Sequence, residues 1–277
     1  MSNVAPLDPS SSSRSARPSG ERDGVTTVHK TLAVLEVVAE RDGATAREVS
    51  DVLGFPLPTV YRLLQELVHN DYLVHLKGAR RFELGYKLHG LGVSLHRQIH
   101  VPAPVRDAVA ALHERVAAAA YFAVYRGADV VVAFVSDCTE HPRLTPLKFG
   151  FHEAAHATAF GKIMLAGMSG EQRNEYLHVH GLPPLTAATI VQPDALEKHL
   201  GTVATRGVAW ERGEFVPGMT CAAIGVRNAA GLVVGSVAIS GETHELERRE
   251  HEVEHVLRGY SGQVSRYFRS GSTRFAS

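Results

Sequence analysis

Cysteine is almost missing from this chain: Cys138 and Cys221 are the only two in 277 residues, and they form no Cys-x-x-Cys pair. That excludes a disulfide framework and a cysteine-ligated zinc site, and it suits a reducing compartment. An excess of either charge is missing too. The 29 Lys and Arg balance 29 Asp and Glu, so the protein cannot coat nucleic acid through bulk charge, and any DNA contact must come from local cations. The longest apolar run, around Ala117 to Val124, falls far short of the roughly 18 residues of a membrane span, so no membrane partner is expected. The first twenty residues hold no apolar block that could serve a signal peptide, and a cytoplasmic location is expected. No G-x-S-x-G elbow occurs, and Gly161-Lys162 is followed by Ile163 instead of the Ser or Thr of a phosphate loop. No enzyme, cofactor or catalytic residue is expected.

What remains has a clear order. The length allows two domains. Residues 1–24 carry Ser10-Ser11-Ser12-Ser13, three prolines and few large apolar side chains, which predicts a disordered tail. From Val25, apolar residues recur at helical spacing (Val28, Leu32, Leu35, Val38) up to Gly43. A second helix is expected from Thr45, a plausible N-cap, to Leu53, with Gly54 turning the chain. Pro56 and Pro58 mark the start of a third, where a missing N–H costs least. Its buried stripe is Val60, Leu63, Leu64, Leu67 and Val68; its other face shows Thr59, Tyr61, Arg62, Gln65 and His69. Tyr72–His75 and Arg81–Leu84 then read as strands around the turn Lys77-Gly78-Ala79-Arg80.

This order, helix, short helix, tight turn, helix and basic-tipped hairpin, is that of a winged helix-turn-helix over 25–86, which places its second helix in the DNA major groove. Arg62 can pair with guanine and Gln65 with adenine. Thr59 and Tyr61 suit phosphates, and Thr45, Pro58 and the wing residues Lys77, Arg80 and Arg81 are further candidates for DNA contact. Between Val25 and Lys87, eight basic residues face eight acidic ones. One copy should therefore bind weakly, because salt-dependent affinity sums over phosphate contacts. A homodimer or dimer of dimers on a palindromic operator is expected, helped by Arg14, Arg17 and Arg22 of the tail.

A linker helix is expected over 87–102, with the boundary near His100. Residues 103–270 read as an α+β domain with an antiparallel sheet flanked by helices: helices at Val105–Ala118, Ala157–Ala166 and Asp194–Thr205, strands at Ala120–Tyr125, Val130–Val135, Val208–Trp210, Cys221–Arg227 and Val233–Ser240, and one long final helix from His244 to Phe268. Residues 271–277 read as a second tail.

With these residues in view, the chain resembles the IclR family of bacterial transcriptional regulators. The resemblance is carried by Thr59-Val60-Tyr61-Arg62-Leu63-Leu64 with Arg81-Phe82-Glu83-Leu84-Gly85, by His156-Ala157-Thr158-Ala159-Phe160-Gly161-Lys162, by Pro217-Gly218-Met219-Thr220-Cys221-Ala222-Ala223, and by Ser236-Val237-Ala238-Ile239-Ser240-Gly241. It implies a winged helix, a linker helix and a C-terminal GAF-like domain that binds a small carboxylic acid effector, in a repressor that forms dimers often paired as tetramers. By position it nominates Thr145, Phe149 and Glu153 before the His-Ala-Thr helix, Ala159 and Phe160 at its start, and Glu211, Cys221, Ala238 and Ser240 on the strands. Amides at the helix start suit a carboxylate. Phe160 stands where the family often has a small residue, and Phe149-Gly150-Phe151-His152-Glu153 replaces a run usually ending in Leu-Pro-Leu. This aromatic lining points to an aromatic or bulkier acid.

A zinc metallohydrolase is the alternative. His152-Glu153-Ala154-Ala155-His156 and His251-Glu252-Val253-Glu254-His255 both match H-E-x-x-H, which on a helix stacks two imidazoles for zinc. Glu171 and Glu175 lie at possible third-ligand spacing for the first. With 16 histidines in the chain, chance matches are expected, and no metal site is assigned.

Overall fold

The computed structural model describes residues 19–270, with side chains from Thr26. Residues 1–18 and the expected tail at 271–277 lie outside the described residues. Contacts divide the chain into two compact units, one up to Gln98 and one from Ile99.

In the first unit, α1 (Ser19–Glu40) opens inside the expected tail, and α2 (Ala46–Leu53) and α3 (Leu57–His69) follow. Local chemistry sets these bounds. The Thr45 hydroxyl accepts from Glu48 N at 3.2 Å while the Glu48 carboxylate accepts from Thr45 N at 2.7 Å, closing a capping box at α2. Gly54 ends α2 in the left-handed region, at φ 66. The Ser50 hydroxyl donates to Phe55 O at 2.7 Å and pins the tight turn into α3. Val34, Val38, Val49, Val60, Leu63 and Leu64 form the small core between the helices. The wing is β1 (Leu73–Leu76) paired antiparallel with β2 (Arg81–Leu84). Phe82 also exchanges backbone hydrogen bonds with Ala44, which ties the wing to the start of α2. Gly85 closes it because a Cβ there would sit 2.2 Å from Asp71 O. α4 (Lys87–Gln98) buries no residue. It stops short of 102 because Ile99 and Val101 insert into the core of the second unit.

The second unit is a five-stranded antiparallel sheet between two helical layers. α5 (Ala103–Val116) leads into β3 (Ala119–Arg126) and β4 (Asp129–Ser136); α6 (Ala159–Gly167), α7 (Gly170–His180) and α8 (Pro193–Arg206) precede β5 (Val208–Arg212), β6 (Met219–Arg227) and β7 (Val233–Glu242). The strand order is β4-β3-β7-β6-β5. Alternation along the strands sends Phe122, Val124, Trp210, Ile224, Val237 and Ile239 to one face and Ala119, Tyr121, Ala209, Cys221, Ala223 and Ala238 to the other. The first face packs on α5 and the terminal helix; the second packs on α6 and α8.

Two expectations need correction. The final helix is broken into α9 (Thr243–Glu247) and α10 (Glu250–Arg269). At the break the Arg249 guanidinium donates to Val116 O at 2.6 Å, capping the last turn of α5. α7 was not read from the sequence, because it buries Tyr176 alone and has no apolar stripe. It is held from outside: Arg173 forms a two-pronged pair with Glu197 at 2.9 and 2.7 Å and donates to Leu165 O and Met168 O.

Candidate DNA-reading face and candidate effector site

On α3, Pro58, Tyr61, Arg62 and Gln65 are exposed and Thr59 is half-buried. Among the described residues nothing pairs with Arg62 or Gln65, so their donors are free for a partner. Lys77 and Arg80 stand exposed at the wing turn. Two nominated residues have intramolecular work. The Thr45 hydroxyl is committed to its cap, and the half-buried Arg81 donates to Gly43 O, bracing β2 on the turn after α1. Arg47, exposed on α2, is a cation the sequence reading did not single out.

In the second unit the His156–Lys162 motif folds into a short 3-10 turn, Ala155–Ala157, running into α6. Each member has a local reason. His156 Nε2 lies 3.1 Å from Pro183 O, and burial lowers its imidazole pKa. Thr158 caps α6 by accepting from Gly161 N at 3.3 Å. Gly161 is required because a Cβ would lie 2.2 Å from Ala155 O. Lys162, fully buried, pairs with the Glu214 carboxylate. Burial pushes its ammonium down, and Glu214 pulls it back up. The amides of Ala159 and Phe160, the first two of α6, have no acceptor among the described residues.

Beneath α6, register places Glu211 opposite Cys221, and Cys221 opposite Ser240, in one cross-strand row. The next row is Ala209, Ala223, Ala238 and Tyr121. Glu211 is buried. One of its oxygens accepts from the amides of Glu214 and Phe215, the second at 2.9 Å. Its other oxygen, Oε2, is buried without an N–H or O–H donor among the described residues, and the carboxyl lies beside the Cys221 thiol. Burial pushes the Glu211 carboxyl up, and pushes the Cys221 thiol well up as well, so this cysteine is an inert neutral group. Across the row, Tyr121 Oη and Ser240 Oγ are 2.7 Å apart, and Leu144 N donates to Tyr121 Oη at 3.0 Å. Burial pushes the Tyr121 phenol up, so the hydroxyl keeps its proton.

The structure thus gathers Ala159, Phe160, Glu211, Cys221, Ala238 and Ser240 of the nine nominated residues. It does not gather the other three. Thr145 and Glu153 are exposed, and Phe149 packs against the opposite core. Their loop turns Leu144, Leu147 and Phe151 inward instead, because these bury more apolar surface than Thr145 and Glu153 could. Phe151 meets Phe160 edge-on at 6.5 Å and Phe215 at 5.6 Å, forming an aromatic wall. Tyr121 was missed. Strand alternation alone places it beside Ala238, but its bond to Ser240 spans 119 positions.

The zinc alternative loses its scaffold. Ala154 has φ 53, so His152 and His156 do not stack on a helix, and His152 Nδ1 lies 2.9 Å from its neighbour Gly150 O. His251 and His255 are exposed on α10. Among the described residues no group of three or more His, Cys, Asp or Glu is gathered as for a metal ion, and no helix is long and apolar enough to cross a membrane.

Comparison with known proteins agrees with both halves. The profile of the IclR helix-turn-helix domain matches residues 27–76, and that of the bacterial transcriptional regulator IclR C-terminal domain matches 94–266. The Transcriptional repressor IclR of Escherichia coli is 26% identical over 220 residues, covering 78% of this chain and 80% of its own. The crystal structure of the Thermotoga maritima IclR superposes with a TM-score of 0.71 at 22% identity, covering 88% of this chain and 99% of that one. An IclR homolog of Microbacterium hydrocarbonoxydans, solved in complex with 4-hydroxybenzoate, superposes with a TM-score of 0.69 at 20% identity over 88% of this chain and 99% of its own. This chain belongs to the IclR family of bacterial transcriptional regulators.

Proposed function

We propose that this regulator is a repressor that binds a palindromic operator as a homodimer or dimer of dimers, and that a small organic acid beneath α6 sets its operator affinity. The observation that carries the ligand half is the buried start of α6, whose Ala159 and Phe160 amides have no acceptor among the described residues and which packs in one cluster with Cys221 and Ala238 of the sheet. Unpaired N–H groups and the helix dipole favour an anion there. The relative solved with 4-hydroxybenzoate supports an aromatic acid, and the Phe151, Phe160 and Phe215 wall suits one. The repressor reading rests on the E. coli relative, itself a repressor.

For the DNA half, Arg62 and Gln65 read bases, Pro58, Thr59 and Tyr61 approach the backbone, and Lys77 and Arg80 hold phosphates from the wing. Pairing of copies is supported by the formal neutrality of residues 25–87 and by apolar side chains left exposed on α1 and α4: Val28, Leu32, Leu91 and Leu95. The effector acts by binding one arrangement of the paired winged helices more tightly than the other.

The test is selection of duplexes from a random pool with the full chain. Enriched sequences should be inverted repeats, and Arg62→Ala should lose about 1–3 kcal/mol of specific binding at a defined base pair. No enrichment, or discrimination unchanged in that variant, would sink the DNA assignment.

A further inference from the structure

We infer that Arg81 is a positioning residue of the DNA reader: its guanidinium aims the wing, so that Lys77 and Arg80 reach the duplex backbone, and does not itself hold a phosphate. This rests on the reading of Lys77 and Arg80 as phosphate contacts, and it assigns what keeps them in place.

The wing is short and has few attachments. β1 and β2 have four residues each and pair only with one another among the described strands, and a lone two-stranded hairpin is at best marginally stable in water. At its base the Gly85 amide donates to Tyr72 O at 2.8 Å, and Leu73 and Phe82 reach into the helical core. The half nearer the tip is held by the turn after α1. There Ala44 and Phe82 exchange backbone hydrogen bonds at 2.9 and 2.8 Å, and the Arg81 guanidinium donates to Gly43 O. Arg81 is paired with Leu76, the last residue of β1, and directly follows the turn that carries Lys77 and Arg80. Its bond is therefore the attachment nearest the two wing cations. Without it, the strand ends that carry the turn are free to swing about Phe82.

Exposure and charge separate Arg81 from its neighbours. The Lys77 and Arg80 side chains are exposed, whereas Arg81 is half-buried. Its charge is also met from within. Glu48, which accepts from Thr45 N at the cap of α2, is held below the ordinary carboxylate value, first by its bonds with Thr45 and further by the nearby Arg81 and Arg41. A phosphate would have to compete with Gly43 O and Glu48 for the Arg81 guanidinium, while at Lys77 and Arg80 it displaces only water and counterions. The planar fork of arginine lets one side chain serve a carbonyl and a carboxylate together, and the point charge of lysine does not replace it.

Fluorescence anisotropy with the full chain tests this, across a salt series, on the inverted-repeat duplex enriched from the random pool and on an unrelated duplex. Lys77→Ala and Arg80→Ala should each lower the slope of log affinity against log salt by about 0.9 per copy of the chain, the loss of one phosphate contact. Arg81→Met should lower it by about 1.8, the loss of both wing contacts, and adding Arg80→Ala to Arg81→Met should change nothing further. Arg81→Lys, which keeps the charge, should behave like Arg81→Met. In all of these variants the ratio of operator to unrelated binding should stay at the wild-type level, because the base-reading face of α3 is untouched; loss of the fold would lower it. A wild-type slope in Arg81→Lys, or losses from Arg81→Met and Arg80→Ala that add, would make Arg81 a phosphate contact and overturn the inference while sparing the wing. A collapsed ratio in Arg81→Met would overturn it as well, since the guanidinium would then hold the whole unit and not the wing alone. Wild-type slopes in both Lys77→Ala and Arg80→Ala would overturn the wing reading itself, and this inference with it.

Discussion

The two faces of the C-terminal sheet are made by the same strands and serve opposite ends. Toward α5 and α10 the strands present Phe122, Val124, Trp210, Ile224, Val237 and Ile239, a dry core of bulky side chains. Toward α6 they present alanines with Cys221, Tyr121, Glu211 and Ser240. One face fills space with hydrocarbon and the other sets small side chains in rows next to buried polar groups. Period-two alternation allows one sheet to do both, since adjacent residues never share a face. The stable face supports the other, which tolerates buried polar atoms at a cost in stability.

The difference can be broken from either side. Phe122→Ala on the bulky face should cost about 3–5 kcal/mol of unfolding free energy, read from denaturant melts as a lower midpoint at unchanged slope. A smaller loss would mean that this face is not the main source of stability. On the polar face, Lys162→Met should cost nearly as much, about 3–5 kcal/mol, because it strands the Glu214 carboxylate beside Glu211. Adding Glu214→Leu to it should recover most of that loss, and a failure to recover would show that Lys162 has partners beyond this pair. Filling the small-residue floor with Ala238→Leu should cost about 1–3 kcal/mol by overpacking and abolish acid binding, while duplex binding persists. Loss of duplex binding as well would point to general misfolding.

The smallest effect concerns pH. Burial lowers His199 to about 4 from an ordinary 6.5. The unfolded chain therefore binds the proton first, so stability should be full above pH 6.5 and decline as pH falls from 6.5 toward 4. His156, lowered by the same cause, adds in the same direction. His199→Gln should flatten the decline, and an unchanged pH profile of the melting temperature would remove His199 from this role.

Legibility followed locality. Thr45, Gly54, and Pro58 at the start of α3 are signals within a few residues of the turn they set, and these elements formed as read. α7 left no signal because a helix with one buried residue has no stripe to detect. The final helix read as continuous because nothing near Arg248 breaks the pattern; the break comes from Arg249 reaching Val116, 133 positions away. In the site, the residues on regular strands fell together by alternation. The loop residues did not: Thr145, Phe149 and Glu153 were taken by position, and an irregular loop has no period to say which side chains turn inward.

The sequence by itself determined the winged helix, the five strands of the sheet domain with its helices other than α7 and the broken last one, and the motifs that identify the family, because caps, turns and periodicity are set by neighbouring residues. Only the tertiary structure decided what those motifs do. His156, Gly161 and Lys162 prove to be the means by which α6 is seated: a hydrogen bond to Pro183, a close approach to Ala155 and a buried pair with Glu214. The polar row from Glu211 to Ser240, with Tyr121 bridging to Leu144, exists only once distant strands are side by side. Burial, and the unmet hydrogen bonds it leaves, is a property of packing, and no stretch of sequence carries it alone.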